Sequence, residues 1–307
     1  IENRIEMINY ILSKEEHNYF TQIGIGFNSN IFLDIGEKEY IILPNITEIA
    51  QEGIKGNKEV DDIYISYGFN YIYKNYLNVK KDRYFQYMFY GLNQNYNKEY
   101  SNDINFLLNE LSYNYNYKSF NISHNFGKSK VYLNGITKID IHNTKTNLIY
   151  NLSHNIQMIN SLKYEEKKLD GMLSNIFEYG LTFNYIMNSN MFHTFNLTHL
   201  NEASSTITND YLLKKINYVN TYIINKQHSI KSIIIMNTKR FRNIFVNNNL
   251  LFENRKDEEL ILSLMYNYQL KSNQIIETNF SKTEVKSSHQ IYNYKKNDLI
   301  INYKYFF

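Results

Sequence analysis

Apolar and polar residues alternate with a period of two along most of the chain. In the segment 176–187, Phe177, Tyr179, Leu181, Phe183, Tyr185 and Met187 share one parity, and Glu178, Gly180, Thr182 and Asn184 share the other. Segment 62–73 sets Ile63, Ile65, Tyr67, Phe69, Tyr71 and Tyr73 against Tyr64, Ser66, Gly68 and Asn70. Segment 259–270 sets Leu260, Leu262, Leu264, Tyr266, Tyr268 and Leu270 against Glu259, Ser263, Asn267 and Gln269. Successive side chains of an extended strand point to opposite faces, so each segment predicts a strand apolar on one side only. Before residue 17 the period is different. Ile1, Ile5, Ile8 and Leu12 recur at helical spacing, with Glu2, Asn3, Arg4 and Glu6 between them, which predicts a short amphipathic helix over 1–16.

The strand pattern divides into 17–27, 62–73, 83–93, 103–117, 119–128, 133–144, 147–160, 173–187, 191–201, 214–225, 229–240, 257–270, 274–286 and 298–307. That is about fourteen strands, within a range of roughly twelve to sixteen because boundaries drift by a few residues. Two segments are ambiguous. His193 and His199 share a face with Phe195 and Leu197, and Ile233, Ile234 and Ile235 do not alternate. Tight polar connections, such as Asn188-Ser189-Asn190, Lys226-Gln227-His228 and Lys271-Ser272-Asn273, alternate with longer charged ones at 28–60, 94–102, 162–172, 201–213, 241–257 and 287–297. Alternation of this kind implies antiparallel neighbours, with every long connection at one end. It predicts an all-β, antiparallel up-and-down transmembrane barrel over 17–307, preceded at 1–16 by the tail of a periplasmic region. An even strand number puts both termini on the periplasmic side.

A soluble β-sandwich would bury the same apolar faces between two sheets. Three features favour the membrane barrel, whose apolar faces turn outward to lipid. The strands run longer than the usual soluble mode of about 5–6 residues and suit the roughly 9–11 needed to cross a bilayer at a tilt. Aromatic pairs, such as Tyr71/Tyr73, Tyr113/Tyr115 and Tyr266/Tyr268, sit toward strand ends on the apolar face, where a ring meets lipid and its hydroxyl meets water. The chain also finishes on a strand, with Leu299, Ile301, Tyr303, Tyr305 and Phe307 on one face.

Composition narrows the function classes. Among 307 residues there are 30 Tyr and 19 Phe but no Cys, no Trp and one Pro. Without Cys there is no disulfide scaffold, thiolate metal site or cysteine nucleophile. A net charge of +3 does not imply nucleic acid as a partner. Mean hydropathy of −0.50 suits either a soluble protein or a barrel with a wet interior. The abundance of Tyr, Asn, Ile and Lys is what an AT-rich coding sequence would produce, but such drift does not explain the phase of the Tyr residues.

The last strand, with Phe307 preceded by Tyr305, Tyr303, Ile301 and Leu299, resembles the terminal strand of bacterial outer-membrane proteins. That resemblance implies recognition by the barrel-assembly machinery. Three further segments carry a narrower likeness: 23–30 (IGIGFNSN), 254–259 (NRKDEE) and 287–297 (SSHQIYNYKKN). They resemble the C-terminal barrel of surface lipoprotein assembly modifier proteins, departing from that pattern at His289. This likeness implies a translocation or assembly function with a client lipoprotein, alongside outer-membrane lipid and lipopolysaccharide as surroundings. It implies no cofactor.

Catalytic and metal signatures are lacking. There is no Gly-x-Ser-x-Gly elbow, no His-Glu-x-x-His and no phosphate-binding Gly-rich loop. Ser123-His124 and Ser153-His154 have opposite parity and cannot act together on one strand face. His193 and His199 lie about 20 Å apart on an extended strand, too far to share a metal. The predicted protein is therefore not an enzyme and has no metal site. Glu110, Glu178, Glu259, Glu277 and Lys304 fall on polar faces of different strands and are candidate lumen-lining residues that would set ion preference. Gly24 and Gly26 leave room on the inner wall, for a plug or simply to relieve crowding. The long connection 28–60 holds Pro44 and is a candidate constriction or lid. Lys239, Arg240, Arg242, Arg255 and Lys256 make the connection 241–257 basic, suited to lipopolysaccharide or a client. Beside the assembly function stand a passive or substrate-selective porin-type channel and a structural or adhesive barrel.

Overall fold

The computed structural model describes residues 14–29, 61–97, 103–133, 136–169, 172–204, 210–242, 245–246, 250–251, 255–288 and 293–307. They form strands β1 (Glu15–Ser29), β2 (Asp61–Tyr76), β3 (Arg83–Tyr96), β4 (Ile104–Tyr117), β5 (Phe120–Leu133), β6 (Ile136–Asn151), β7 (Ile156–Leu169), β8 (Met172–Asn188), β9 (Met191–Ser204), β10 (Tyr211–Ile223) and β11 (His228–Phe241). A two-residue hairpin, β12 (Phe245–Val246) with β13 (Leu250–Leu251), lies in the next connection. The chain then continues through β14 (Lys256–Lys271), β15 (Gln274–Ser287) and β16 (Tyr294–Phe306). Apart from the hairpin, each strand pairs antiparallel with its sequence neighbours, and β1 pairs with β16 to close a fourteen-strand barrel. Closure leaves no unpaired edge, which is the condition for a β-structure to cross lipid.

Register carries one face around the whole ring. At the seam Ile25 lies opposite Ile301 and Gly24 opposite Asn302. Apolar residues of the first kind point outward: Ile25 is 55% exposed and Phe177 54%. In water such a belt would be an association surface; against lipid it is the expected wall. Residues of the second kind point inward, and the buried positions there are largely polar, with Ser66, Ser174, Glu202 and Asn302 among them.

The end carrying the short turns is banded on its outer wall by rings. His17 lies 5.0 Å from Tyr73, Tyr19 5.0 Å from Phe307, Phe85 5.3 Å from Tyr113, and His228 4.8 Å from Tyr268 (centroid to centroid). Three histidines scattered in sequence become members of this band. Each reaches a tyrosine hydroxyl through Nδ1: His17 to Tyr71 at 3.0 Å, His193 to Tyr218 at 3.0 Å and His228 to Tyr266 at 2.5 Å.

Several predicted boundaries move. β1 starts at Glu15, so Glu15 and Glu16 belong to a strand rather than to the helix predicted over 1–16; the rest of that helix, residues 1–13, lies outside the described residues. Residues 30–60, including Pro44, also lie outside them, as do Asn254 and His289. The break predicted between 144 and 147 is mid-strand, and the chain turns instead at 152–155. Lys145 falls in the predicted break because it is polar, but it faces a wet interior that accommodates it. The charged connection predicted at 162–172 is mostly β7, whose Lys163, Glu165 and Lys167 point inward.

Candidate functional site: the polar lumen

The inner wall is built from alternate residues of all fourteen strands. Gly24 and Gly26 face inward on β1, and the space above them is filled. A Cβ on Gly24 would overlap the Asn302 side chain, and one on Gly26 would overlap the Tyr64 ring. Their smallness relieves crowding between neighbouring strands and leaves no recess for a plug at this point.

Charged residues fall in rows. Glu110 of β4 accepts a hydrogen bond from Asn125 Nδ2 at 3.1 Å. Asn125 stands opposite Lys145, Lys145 opposite Lys163 and Lys163 opposite Glu178, so one row crosses β4 to β8. Lys163 is also ion-paired with Glu165. On the other side of the barrel, Lys215 stands opposite Asn237 and Asn237 opposite Glu259, with the Asn237 amide donating to the Glu259 carboxylate. Near the seam, Lys304 Nζ donates to Glu277 Oε2 at 2.9 Å, and Asn302 Nδ2 lies 3.4 Å from Glu277 Oε1.

All five lumen candidates from the sequence therefore occupy inward positions. Only Glu277 and Lys304 meet directly; Glu110 and Glu178 share a row, and Glu259 belongs to a different wall. Positive and negative groups are interleaved around the ring.

Sequence reasoning missed the buried pairs toward the other rim. Lys167 of β7 reaches across β8 to Glu202 of β9 at 2.8 Å, and Glu202 is fully buried. Arg255 forks onto both carboxylate oxygens of Asp257, which is buried. Parity within each strand could have put these residues inside, but their partnerships depend on register. Leu299, Ile301, Tyr303 and Tyr305 line the outer side of β16. Phe307 follows it, 64% exposed, with its ring 4.7 Å from Tyr305. Among the described residues no group of three His, Asp or Glu side chains is placed to hold a metal ion.

No protein-family model matches this chain, and no curated protein does. Solved structures do. The outer membrane channel DcaP of Acinetobacter baumannii aligns at 10% identity over 96% of this chain and 98% of its own, with a TM-score of 0.53. An anion-selective porin from Comamonas acidovorans aligns at 8% identity over 95% of this chain and 100% of its own, with a TM-score of 0.51. OmpT, an outer membrane protein of Vibrio cholerae, aligns at 7% identity over 96% and 98%, with a TM-score of 0.52.

The fold is that of outer-membrane β-barrels. At these identities the likeness extends to the fold alone. In such a barrel the interleaved charges and amides form the inner wall, and the aromatic band lies on the lipid side.

Proposed function

We propose that this barrel is a porin-type diffusion channel of the outer membrane, with its short turns and both strand termini on the periplasmic side. The observation that carries this is the inner wall. Rows of charged and amide side chains cross a closed barrel and keep part of their surface open to solvent; Lys163, for example, has 26% of its side chain exposed. A fourteen-strand barrel lies between small filled barrels of about 8 strands and porins of about 16–18 that hold an aqueous channel. Two fold relatives are an outer membrane channel, DcaP, and an anion-selective porin from Comamonas acidovorans, which adds support. With charges of both signs interleaved, ion preference is expected to be weak. No catalytic step is proposed.

Outward Lys128, Lys130, Lys214 and Lys282, toward the long-connection end, suit contact with lipopolysaccharide phosphates. The terminal strand through Phe307 suits the barrel-assembly machinery.

Planar-bilayer recording of the purified chain tests the proposal. Discrete ohmic steps are expected. Silence of both the intact chain and a variant lacking 31–59 would overturn it. The assembly reading, with a client lipoprotein, rests on the likeness of three segments. It predicts loss of a surface lipoprotein from cells lacking this gene, whatever the bilayer result.

A further inference from the structure

One wall of the lumen carries aromatic pairs at several levels, with polar residues such as Gln22, Ser66, Asn70, Gln86 and Gln94 between them. On β1 to β4 and β16 the inward positions bring Tyr76 to Tyr84 at 5.5 Å, Phe20 to Phe306 at 5.2 Å, Tyr90 to Phe106 at 6.0 Å and Tyr64 to Tyr96 at 5.2 Å (centroid to centroid). Register orders these pairs along the barrel. Tyr76 and Tyr84 close the short-turn end, Tyr90 lies midway, and Tyr64 and Tyr96 stand toward the long connections. Tyr64, Tyr76 and Tyr96 are buried and form the backing of the column. Phe20, Tyr84, Tyr90, Phe106 and Phe306 keep part of their rings open.

Midway along the facing wall the chemistry is different, although Tyr211 and Phe241 pair there toward the long connections. In a ring of fourteen strands β9 stands diametrically opposite β2. There Thr194 Oγ1 donates to Asn184 at 2.8 Å, Asn196 Nδ2 donates to Thr182 at 2.6 Å, and Thr198 Oγ1 donates to Asn196 at 2.8 Å. Asn184 continues the lattice to Gln157 at 3.0 Å. This neutral lattice offers both donors and acceptors. Lys163 and Glu178 border it on one side, with Lys215 and Glu259 on the other.

We infer that the channel carries a specific solute class, neutral sugars and short oligosaccharides, along the aromatic column. This rests on the channel function proposed above. A pyranose ring has an apolar C–H face that stacks on an aromatic ring and an edge of hydroxyls that needs donors and acceptors. The two walls offer these two halves. Wholly apolar solutes would leave the amide lattice without compensation for displaced water. Charged solutes would be drawn to the bordering rows. Hydrogen-bonding groups that line a pore set its selectivity, and ring stacking adds affinity at little entropic cost.

The test uses the full chain in detergent and in bilayers, with maltohexaose and cellohexaose as probes. Equilibrium dialysis should detect saturable binding of at least one hexaose, and the same sugar should block the open-channel current. Tyr90→Ala with Phe106→Ala should weaken binding and block at least about 10-fold. Tyr90→Phe, which keeps the ring, should lose much less than the double variant. Heat-modifiable gel migration identifies the folded variants. A conducting channel that binds neither sugar overturns the sugar inference and leaves the channel standing. Binding by a silent barrel removes the channel and leaves the sugar site. Equal binding by the intact chain and the folded double variant overturns the aromatic column.

Discussion

The Lys167 ammonium reaches over β8 to lie 2.8 Å from a carboxylate oxygen of Glu202, two strands away. Glu202 is fully buried and Lys167 has 19% of its side chain exposed. Removing one member of a buried pair leaves an uncompensated charge, which typically costs about 3–5 kcal/mol. Lys167→Met should therefore lower stability by that order, read as a fall in the urea midpoint of the barrel in lipid vesicles. Adding Glu202→Gln to Lys167→Met should recover much of the loss, because the buried charge goes with it. A single variant as stable as the parent would show that water already solvates Glu202.

Leu181 sits at the centre of the outward run from Phe177 to Tyr185 on β8, and Asn184 faces the lumen on the same strand. Lysine near the bilayer midplane on the lipid face costs about 2–4 kcal/mol. Leu181→Lys should lose that much in vesicle unfolding, whereas Asn184→Lys, which gives up hydrogen bonds beside water, should lose clearly less. Equal effects would mean that the two faces are assigned the wrong way round.

Tyr64 lies over Gly26 on the neighbouring strand, where a methyl group would overlap its ring. The ring is buried against Tyr96 and has little room to move. Overpacking of this kind costs about 1–3 kcal/mol. Gly26→Ala should destabilise by that order, and Gly26→Ala combined with Tyr64→Ala should be destabilised by less than the sum of the two single changes. Strict additivity in this cycle would rule out the contact as the reason for the glycine.

Phe307 makes few contacts within the folded barrel, chiefly with Tyr19 and Tyr305. Phe307→Ala should accordingly change the urea midpoint little but reduce the yield of barrel in the outer membrane. Unchanged yield in cells would argue against a role in assembly.

Lys145 and Lys163 stand opposite each other in the inner row. Exchanging both for Glu makes that stretch wholly acidic. Under a salt gradient the reversal potential should move toward cation preference. A current whose selectivity does not respond would mean that ions take a path away from this wall.

The two faces of each strand were legible in the sequence because a barrel's outer wall must be apolar at every second position. The strand number followed, since each run of alternation is long enough to cross lipid. Where the pattern failed, the cause was the wet interior. The stretch from Leu162 to Leu169 is rich in charge and resembles a loop, yet Lys163, Glu165 and Lys167 point into the lumen and the strand continues. The site was legible only as a set of inward positions. That Glu277 meets Lys304, or that Lys167 meets Glu202, depends on cross-strand register, which turn positions set; the turn between β6 and β7 was placed several residues too early. His17, His193 and His228 were opaque for the same reason, because each finds its tyrosine on another strand.

The seam between β1 and β16 also constrains the order in which the barrel can form. Every other strand pair joins neighbours in the chain, and hairpins of that kind close with little loss of chain entropy. Phe20 and Phe306, paired across the seam, stand at opposite ends of the sequence. Until they meet, two strands present unsatisfied backbone groups that lipid cannot solvate. The folding of this barrel is therefore governed by its longest-range contact. Lesions at Gly24, Gly26, Phe20 or Phe306 should act on the rate of closure before they act on the finished wall.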